Sequence, residues 1–461
     1  MRKKEFINFY STTARRDLYK FLIDSTSLHA ERLLKKKIKL NFIIKKIPSI
    51  NFFFVFFKFV LTFSFIFEKK CASLKYKKVD IGLYAVSIAY REPASHISKI
   101  YYYVYLLRYV FTAGAMIDAA EKISNNVDVV YIDHPVYLNS VYFKIFAEKK
   151  KIVYTNHYPR GLFYIDFRKK NNSRITISTK ALSLSKKNKI QKFKLKPKKE
   201  IIKFFKNPSA IPWFKNTKFN SKIEFKKSIK KVDYIIYAHS FLDGNISYGY
   251  DGFINLENWL NFTIEKLIKK NSRVIIKGHP NFYNETFGKT AETDKNIFKK
   301  IYNKYKDENL IFINNSVNNS ELLKHVDKKA VLITHHGTIA IEGALLGFKC
   351  ICSKATFWDD SFQIANQWSN KAEYVEILQK NWKQLNYSNK NDLKIFTSQL
   401  FSEYSYFGEK FWDKKIIKYL KNSETVRITH QHAKEIPKNK YLDIINQITK
   451  CITEIKFKAK N

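Results

Sequence analysis

AVLITHHGTIAIEGALLG, running from Ala330 to Gly347, is the most informative stretch of this chain. Ala330 to Ile333 is a short apolar run with β-branched residues, which predicts a buried strand. Ile339 to Leu346 reads as a helix, and Gly347 stands where a left-handed C′ residue is expected. Between them Thr334-His335-His336-Gly337-Thr338 forms a strand-to-helix loop. Gly337 lets backbone approach a ligand, and the first N–H groups of the helix suit a phosphate. Thr334 and Thr338 add hydroxyl donors, and Glu342, one turn further on, can accept from ribose hydroxyls. The plainer alternative is that Thr334 or Thr338 caps the helix and Glu342 is solvated.

Working outward, the same rhythm recurs. Ser272–Lys277 is a strand ending in Gly278-His279-Pro280, where Pro280 fixes the turn and Lys277 adds charge. A histidine held there can donate to a leaving phosphate. Strands are expected at Val79–Val86, Val127–Ile132, Ile152–Thr155, Val232–Ala238, Leu310–Ile313 and Lys349–Cys352. Helices are expected at Ser95–Lys122, Val136–Lys149, Leu256–Lys269 and Asp294–Lys304. A further helix opens at Ser320 as N-cap, and the chain is mostly helical from about residue 370. Strands alternating with helices predict parallel sheets with helices on both faces, and ligands then bind beyond the strands' carboxyl ends. The fold class expected is α/β, as two facing Rossmann-like domains. Residues 1–75 form a basic, Phe-rich, helical extension, and residues 76–228 a first domain with a basic insert at 168–228. Residues 229–400 form a second domain, and 401–461 C-terminal helices.

Composition narrows the partners. The 461 residues include 84 Lys+Arg against 40 Asp+Glu, a formal net charge of +44. Such a field favours anionic partners. Only 11 of the basic residues are Arg, the side chain suited to bidentate phosphate and base recognition, which argues against nucleic acid. An anionic membrane or glycolipid uses the charge better. The four cysteines include no Cys-x-x-Cys pair and imply no disulfide framework, and the N-terminus does not read as a signal peptide, which fits a cytoplasmic protein. Asn51 to Phe67, NFFFVFFKFVLTFSFIF, is interrupted by Lys58 and flanked by lysines. It fits a core element, an interfacial helix or a short membrane span.

Together the His-Pro turn and the Thr334–Thr338 loop resemble the bacterial capsule-polysaccharide biosynthesis glycosyltransferases, a group of GT-B type that includes Kdo transferases. They are also similar to the His-Pro-motif sialyltransferases. Ala238-His239-Ser240-Phe241-Leu242-Asp243 and Tyr250-Asp251-Gly252-Phe253-Ile254-Asn255 look like the capsule group, and more loosely so does Tyr131-Ile132-Asp133-His134-Pro135. The resemblance covers roughly residues 80–165 and 230–370. Where such enzymes often carry paired Ser/Thr, this chain has His335-His336-Gly337-Thr338.

The resemblance implies a donor site in the second domain, with His279 on the nucleotide phosphate and Thr338 helping to hold it, and acceptor binding in the first domain. The two loops themselves add Lys277, Gly278, Pro280, Thr334, His335, His336, Gly337 and Glu342 to the expected donor site. It implies a CMP-activated acidic sugar, Kdo or sialic-acid-like, and a lipid-linked or surface glycan acceptor at the inner face of the cell membrane. A CDP-glycerol-type polyol-phosphate transferase shares this plan, and a non-catalytic membrane-surface protein on a degenerate fold is the rival from another class. Candidates for the base are Asp251, Asp243 and Glu92, with Asp133 in the first domain, although Asp-Gly pairs are also ordinary turns. No metal or cofactor is expected, because adjacent histidines on a turn rarely face one ion and no His-x-x-x-His spacing is present.

Overall fold

The computed structural model describes residues 6–9, 50–61, 71–124, 129–133, 152–156, 163–166, 198–206, 227–244, 246, 249–356, 358 and 362–400. In chain order the strands are β1 (Phe6–Phe9), β2 (Val129–Asp133), β3 (Ile152–Asn156), β4 (Phe163–Asp166), β5 (Tyr234–Tyr237), β6 (Val274–Lys277), β7 (Leu310–Ile313), β8 (Val331–Thr334), β9 (Lys349–Ser353) and β10 (Asn366–Trp368). The helices are α1 (Ile50–Leu61), α2 (Ile81–Arg91), α3 (Lys99–Ser124), α4 (Lys198–Lys206), α5 (Leu256–Lys269), α6 (Lys289–Lys304), α7 (Asn319–Lys324), α8 (Ile339–Leu345), α9 (Lys371–Gln379) and α10 (Lys390–Leu400). The expected helix at Val136–Lys149, nearly all of the basic insert and the 401–461 segment lie outside the described residues.

Two compact units are present: Met1–Ile88 with Val104–Ser185 and Ser402–Asn461, and Ala89–Tyr103 with Lys186–Phe401. The first carries a four-stranded sheet in the order β1-β2-β3-β4, parallel except for the antiparallel β3–β4 pair. β1 places a strand within the extension expected to be helical. In α1, Phe52 is fully buried and packs edge-on against Tyr76 and Phe111. A Cβ on Gly114 would come within 1.9 Å of the Phe52 ring, so this contact needs glycine. Phe54 and Phe57 on the same helix are exposed at 71% and 63%. Among the described residues no helix is long and apolar enough to cross a membrane.

The strand expected at Val79–Val86 is instead helix, α2 beginning at Ile81. Ile81, Leu83, Tyr84, Ala85, Val86 and Ile88 are all buried. An apolar run buried on every side carries no periodicity to separate strand from helix. The end of α2 and the start of α3 belong to the second unit, where Tyr90 Oη donates to Glu257 and Arg91 Nε to the Leu242 carbonyl.

The second unit holds a fully parallel six-stranded sheet in the order β10-β9-β8-β5-β6-β7. Counted from β5 this is the 3-2-1-4-5-6 doubly wound order, whose direction of winding reverses between β5 and β8. Its core is built on Trp259, Trp368, Tyr374 and Phe253, with Trp368 and Tyr374 ring centroids 4.1 Å apart. Each fully buried side chain of this size contributes about 1.5–3 kcal/mol. The α8 helix lies against β8 and β9. A Cβ on Gly343 would meet Leu332 Cδ1 at 2.3 Å, so glycine sets how closely that helix approaches the sheet. The expected N-cap Ser320 is displaced by Asn318, whose carboxamide oxygen accepts from Ser320 N at 2.8 Å. An Asn side chain closes such a turn as well as a serine does. Gly347 takes φ +85°, the left-handed conformation expected of it.

Candidate functional site

Three adjacent strands, β8, β5 and β6, run parallel and in register, with Tyr237 opposite both Lys277 and Thr334. Two residues beyond the end of each stands a histidine: His336 after β8, His239 after β5 and His279 after β6. The sheet spacing of about 4.8 Å therefore carries over into the side chains. The His239 ring centroid lies 4.0 Å from that of His336 and 5.2 Å from that of His279. This row crosses the β5/β8 reversal, where ligands bind in doubly wound sheets.

Each loop is anchored from behind. After β5, Ser240 Oγ donates to Asp294 Oδ2 at 2.5 Å and Leu242 N to Asp294 Oδ1 at 3.1 Å, pinning the loop to α6. Burial pushes the Asp294 carboxyl up to about 7 despite those donors. After β6, His279 Nδ1 accepts from Asn281 N at 3.2 Å in the turn that Pro280 begins. A nitrogen that accepts carries no proton, so the neutral ring bears its hydrogen on Nε2. Burial, with His239 and Lys277 nearby, holds the His279 pKa well below the ordinary value, although Asp243 opposes the shift. Gly278 leaves little room, since a Cβ there would lie 3.2 Å from Phe282 and from Tyr283 Oη.

After β8 the loop is held by a relay. His335 is fully buried, its ring edge-on to Trp259 and Trp368. Its Nε2 lies 2.9 Å from Asp251 Oδ2 and its Nδ1 2.7 Å from His336 Nδ1. Asp251 also accepts from Ser353 Oγ and from Phe253 N. Burial works against the ionised Asp251, but His335 and these donors hold its pKa below the ordinary value. Asp251, expected to face a cleft as a base, is thus only 2% exposed and engaged behind His335. Burial, with the three neighbouring histidines, keeps the His336 pKa well below normal.

Thr338 stands at the N-cap of α8 without a side-chain cap bond; its Oγ1 donates to Glu342 Oε1 at 3.0 Å, and Asn319 Nδ2 donates to Glu342 Oε2 at 3.1 Å. Both oxygens of this buried carboxyl are thereby engaged, and it fastens the loop to α7 and α8. Burial raises its pKa, while Asn319, Thr338 and Lys277 oppose the shift. Gly337 packs its Cα side against Thr334, whose Oγ1 would be 2.8 Å from an added Cβ. The α8 helix is only seven residues long, which limits its dipole.

Lys277 is 1% exposed, and its Nζ lies 5.7 Å from the Tyr237 ring centroid. Burial lowers its pKa to about 8, with Glu342 opposing the shift. Among the described residues, Tyr237 Oη, Asn281 Oδ1, Asn315 Oδ1 and Ser316 Oγ are buried without a hydrogen-bond partner, and these residues stand at or just past the ends of β5, β6 and β7.

Asp243 is partly exposed, with Oδ2 3.7 Å from His239 Nδ1. Burial raises its pKa, but His239, Arg91, the Gly244 N–H and His279 together bring it below the ordinary value. Glu92 precedes the 3-10 turn Pro93–His96 at the end of α2, and Asp133 ends β2 in the other unit. Sequence reading passed over His239 and Asp294 as site residues. His239 had a signal, its place directly after the strand expected at Val232–Ala238; Asp294, 54 residues from its partner Ser240, had none.

No protein-family model matches the chain and no curated protein matches it. Among solved structures it is similar to the KpsC β-Kdo 2,4 transferase of Thermosulfurimonas dismutans, at 13% identity over 59% of this chain and 79% of that one, with a TM-score of 0.32. It is also similar to the UDP-GlcNAc 2-epimerase of Methanocaldococcus jannaschii in complex with UDP-GlcNAc and UDP, at 14% identity over 74% and 97% of the two chains and a TM-score of 0.26. A second structure of that epimerase gives 15% identity, coverage of 68% and 82%, and a TM-score of 0.26. Likenesses this weak say nothing of activity.

Proposed function

We propose that the protein is a glycosyltransferase whose second unit binds a CMP-activated acidic sugar of the Kdo or sialic-acid kind. The observation that carries this reading is His279, whose Nδ1 is occupied by the Asn281 N–H so that a neutral ring offers Nε2–H beside the desolvated Lys277. In sugar transfer the bond between the anomeric carbon and the phosphate oxygen breaks, and negative charge gathers on the departing phosphate. A preorganised N–H donor and a buried ammonium stabilise that charge most where water is excluded. The buried polar atoms at and past the ends of β5, β6 and β7 that have no partner among the described residues suit the rest of a nucleotide. As the new glycosidic bond forms, CMP leaves with the electron pair of the broken bond and the acceptor hydroxyl gives its proton to water.

A net charge of +44 supports an anionic glycan or glycolipid acceptor, and the exposed Phe54 and Phe57 support work at the inner face of the cell membrane. The test is a donor screen on the full chain with CMP-Kdo, CMP-sialic acid, CDP-glycerol and UDP-GlcNAc. Hydrolysis of a CMP-sugar and a raised melting temperature with it alone are expected. Response to CDP-glycerol alone would reassign the protein to polyol-phosphate transfer. Response to none of the four would leave the fold without this function.

A further inference from the structure

One donor atom from each of His239, Asp243 and His336 lies within 4.8 Å of the other two. The residues come from the loops after β5 and β8, the adjacent strands at which the sheet's winding reverses. His239 Nδ1 stands 3.7 Å from Asp243 Oδ2 and 3.5 Å from the Ser240 carbonyl oxygen. Both distances are beyond the roughly 3.2 Å limit of a good hydrogen bond. The first is close to the ligand–ligand edge of about 3.3–3.5 Å that bonds of ~2.0–2.1 Å make around a tetrahedral ion.

The support behind His336 is the second observation. The Asp251 carboxylate stands 2.9 Å from His335 Nε2. With a proton on that nitrogen and the His335 lone pair on Nδ1, His336 donates from its own Nδ1 across the 2.7 Å contact. This tautomer leaves the His336 lone pair on Nε2. Carboxylate-to-histidine chains of this kind orient metal-ligating rings and raise their basicity. Asp251 is itself fixed by Ser353 Oγ and Phe253 N, so the whole train is rigid.

We propose that His239, Asp243 and His336 form a site for a divalent transition cation of the zinc type. Two imidazoles and one carboxylate suit zinc or cobalt and suit magnesium or calcium poorly. Three protein ligands leave a fourth position for water or an anionic oxygen. The metal-free expectation drawn from the sequence weighs His335 and His336 with His279 and Asp243; here His335 stands behind His336, and His239 joins His336 and Asp243. The site does not depend on which sugar donor is bound, or on any being bound.

The experiment uses the full chain, stripped with a chelator and then titrated with zinc or cobalt by equilibrium dialysis. About one equivalent per chain is expected, with visible cobalt absorption of low-symmetry coordination and a zinc-dependent rise in melting temperature that magnesium does not give. Asp243→Asn and His239→Gln, chosen to keep volume and hydrogen bonding, should abolish the cobalt bands while the circular dichroism stays native. Asp251→Asn should keep the stoichiometry and weaken affinity about 10–100-fold. His325→Ala, elsewhere on the chain, should bind as the wild type does. Wild-type binding below about a tenth of an equivalent, or metal retained unchanged by the Asp243→Asn/His239→Gln double variant, would overturn the proposal.

Discussion

His335 Nε2 lies 2.9 Å from Asp251 Oδ2, and neither residue reaches solvent appreciably. Asp251 ties the loop after β5 to the loop after β8, and Ser353 at the end of β9 closes the same knot. Removing the carboxylate leaves a buried ring nitrogen and a buried hydroxyl without their acceptor. Asp251→Ala should therefore destabilise the second unit by about 3–5 kcal/mol, the range for breaking a buried pair. Asp251→Asn, which retains one acceptor oxygen, should cost about 1–3 kcal/mol. Urea unfolding followed by tryptophan fluorescence measures both, since Trp259 and Trp368 flank His335. Equal, negligible losses in the two variants would mean that the knot is not a structural unit.

His279 gives a sharper functional expectation. Its Nδ1 is spent on the backbone, so only Nε2–H can act on a ligand. His279→Ala should lower kcat for sugar–phosphate cleavage by about 10²–10³, the loss typical of removing one such donor. Unfolding midpoints should stay near wild type. His279→Gln, whose amide can place an N–H near the same point, should recover part of the loss. Full activity in the alanine variant would remove His279 from the chemistry.

Much of this site was legible because it is written in short local patterns. A β-rich run ending in Lys277-Gly278-His279-Pro280 and another ending in Thr334-His335-His336-Gly337-Thr338 place themselves at strand ends wherever the sheet forms. Helix Leu256–Lys269 and strand Leu310–Ile313 were equally plain, the first from its amphipathic period and the second from its length. Lateral partnerships were not legible. Asp251 meets Ser353 across 102 residues, and no spacing announces that its carboxylate faces His335 instead of a cleft. The Ile81–Arg91 helix was missed for another reason, because burial on all sides erases the polar face that would have revealed a helical period.

Lys277 should make nucleotide binding depend on pH. Its folded pKa of about 8 lies below the ordinary 10.5, so the free protein holds it partly neutral above pH 8. A bound phosphate favours the ammonium, and binding above that point must take up a proton. Affinity for CMP or a CMP-sugar should accordingly fall as pH rises through and beyond about 8. Calorimetry in buffers of different ionisation enthalpy reads the uptake directly. Lys277→Met should bind more weakly and show no uptake in this window. Proton-neutral binding by the wild type would place the phosphate away from Lys277.

Asp294 should make stability depend on pH in the opposite sense to an ordinary paired carboxylate. Its folded pKa, about 7, lies above the ordinary 3.8, so between these values the folded chain holds a proton that the unfolded chain has lost. Stability from this group is fully present below pH 3.8 and is lost as pH rises towards 7. The loss reflects an ionised carboxylate on α6 held in the protein interior, with the Ser240 hydroxyl and the Leu242 N–H as its nearest compensation. Asp294→Asn cannot ionise, and its amide can still accept from Leu242 N while donating to Ser240 Oγ. The variant should match wild type near pH 4 and become the more stable of the two towards pH 8, as read by urea midpoints across the range. Parallel curves for the two proteins would show that Asp294 ionises at its ordinary pKa, and that the loop carrying His239 is not held by a buried acid.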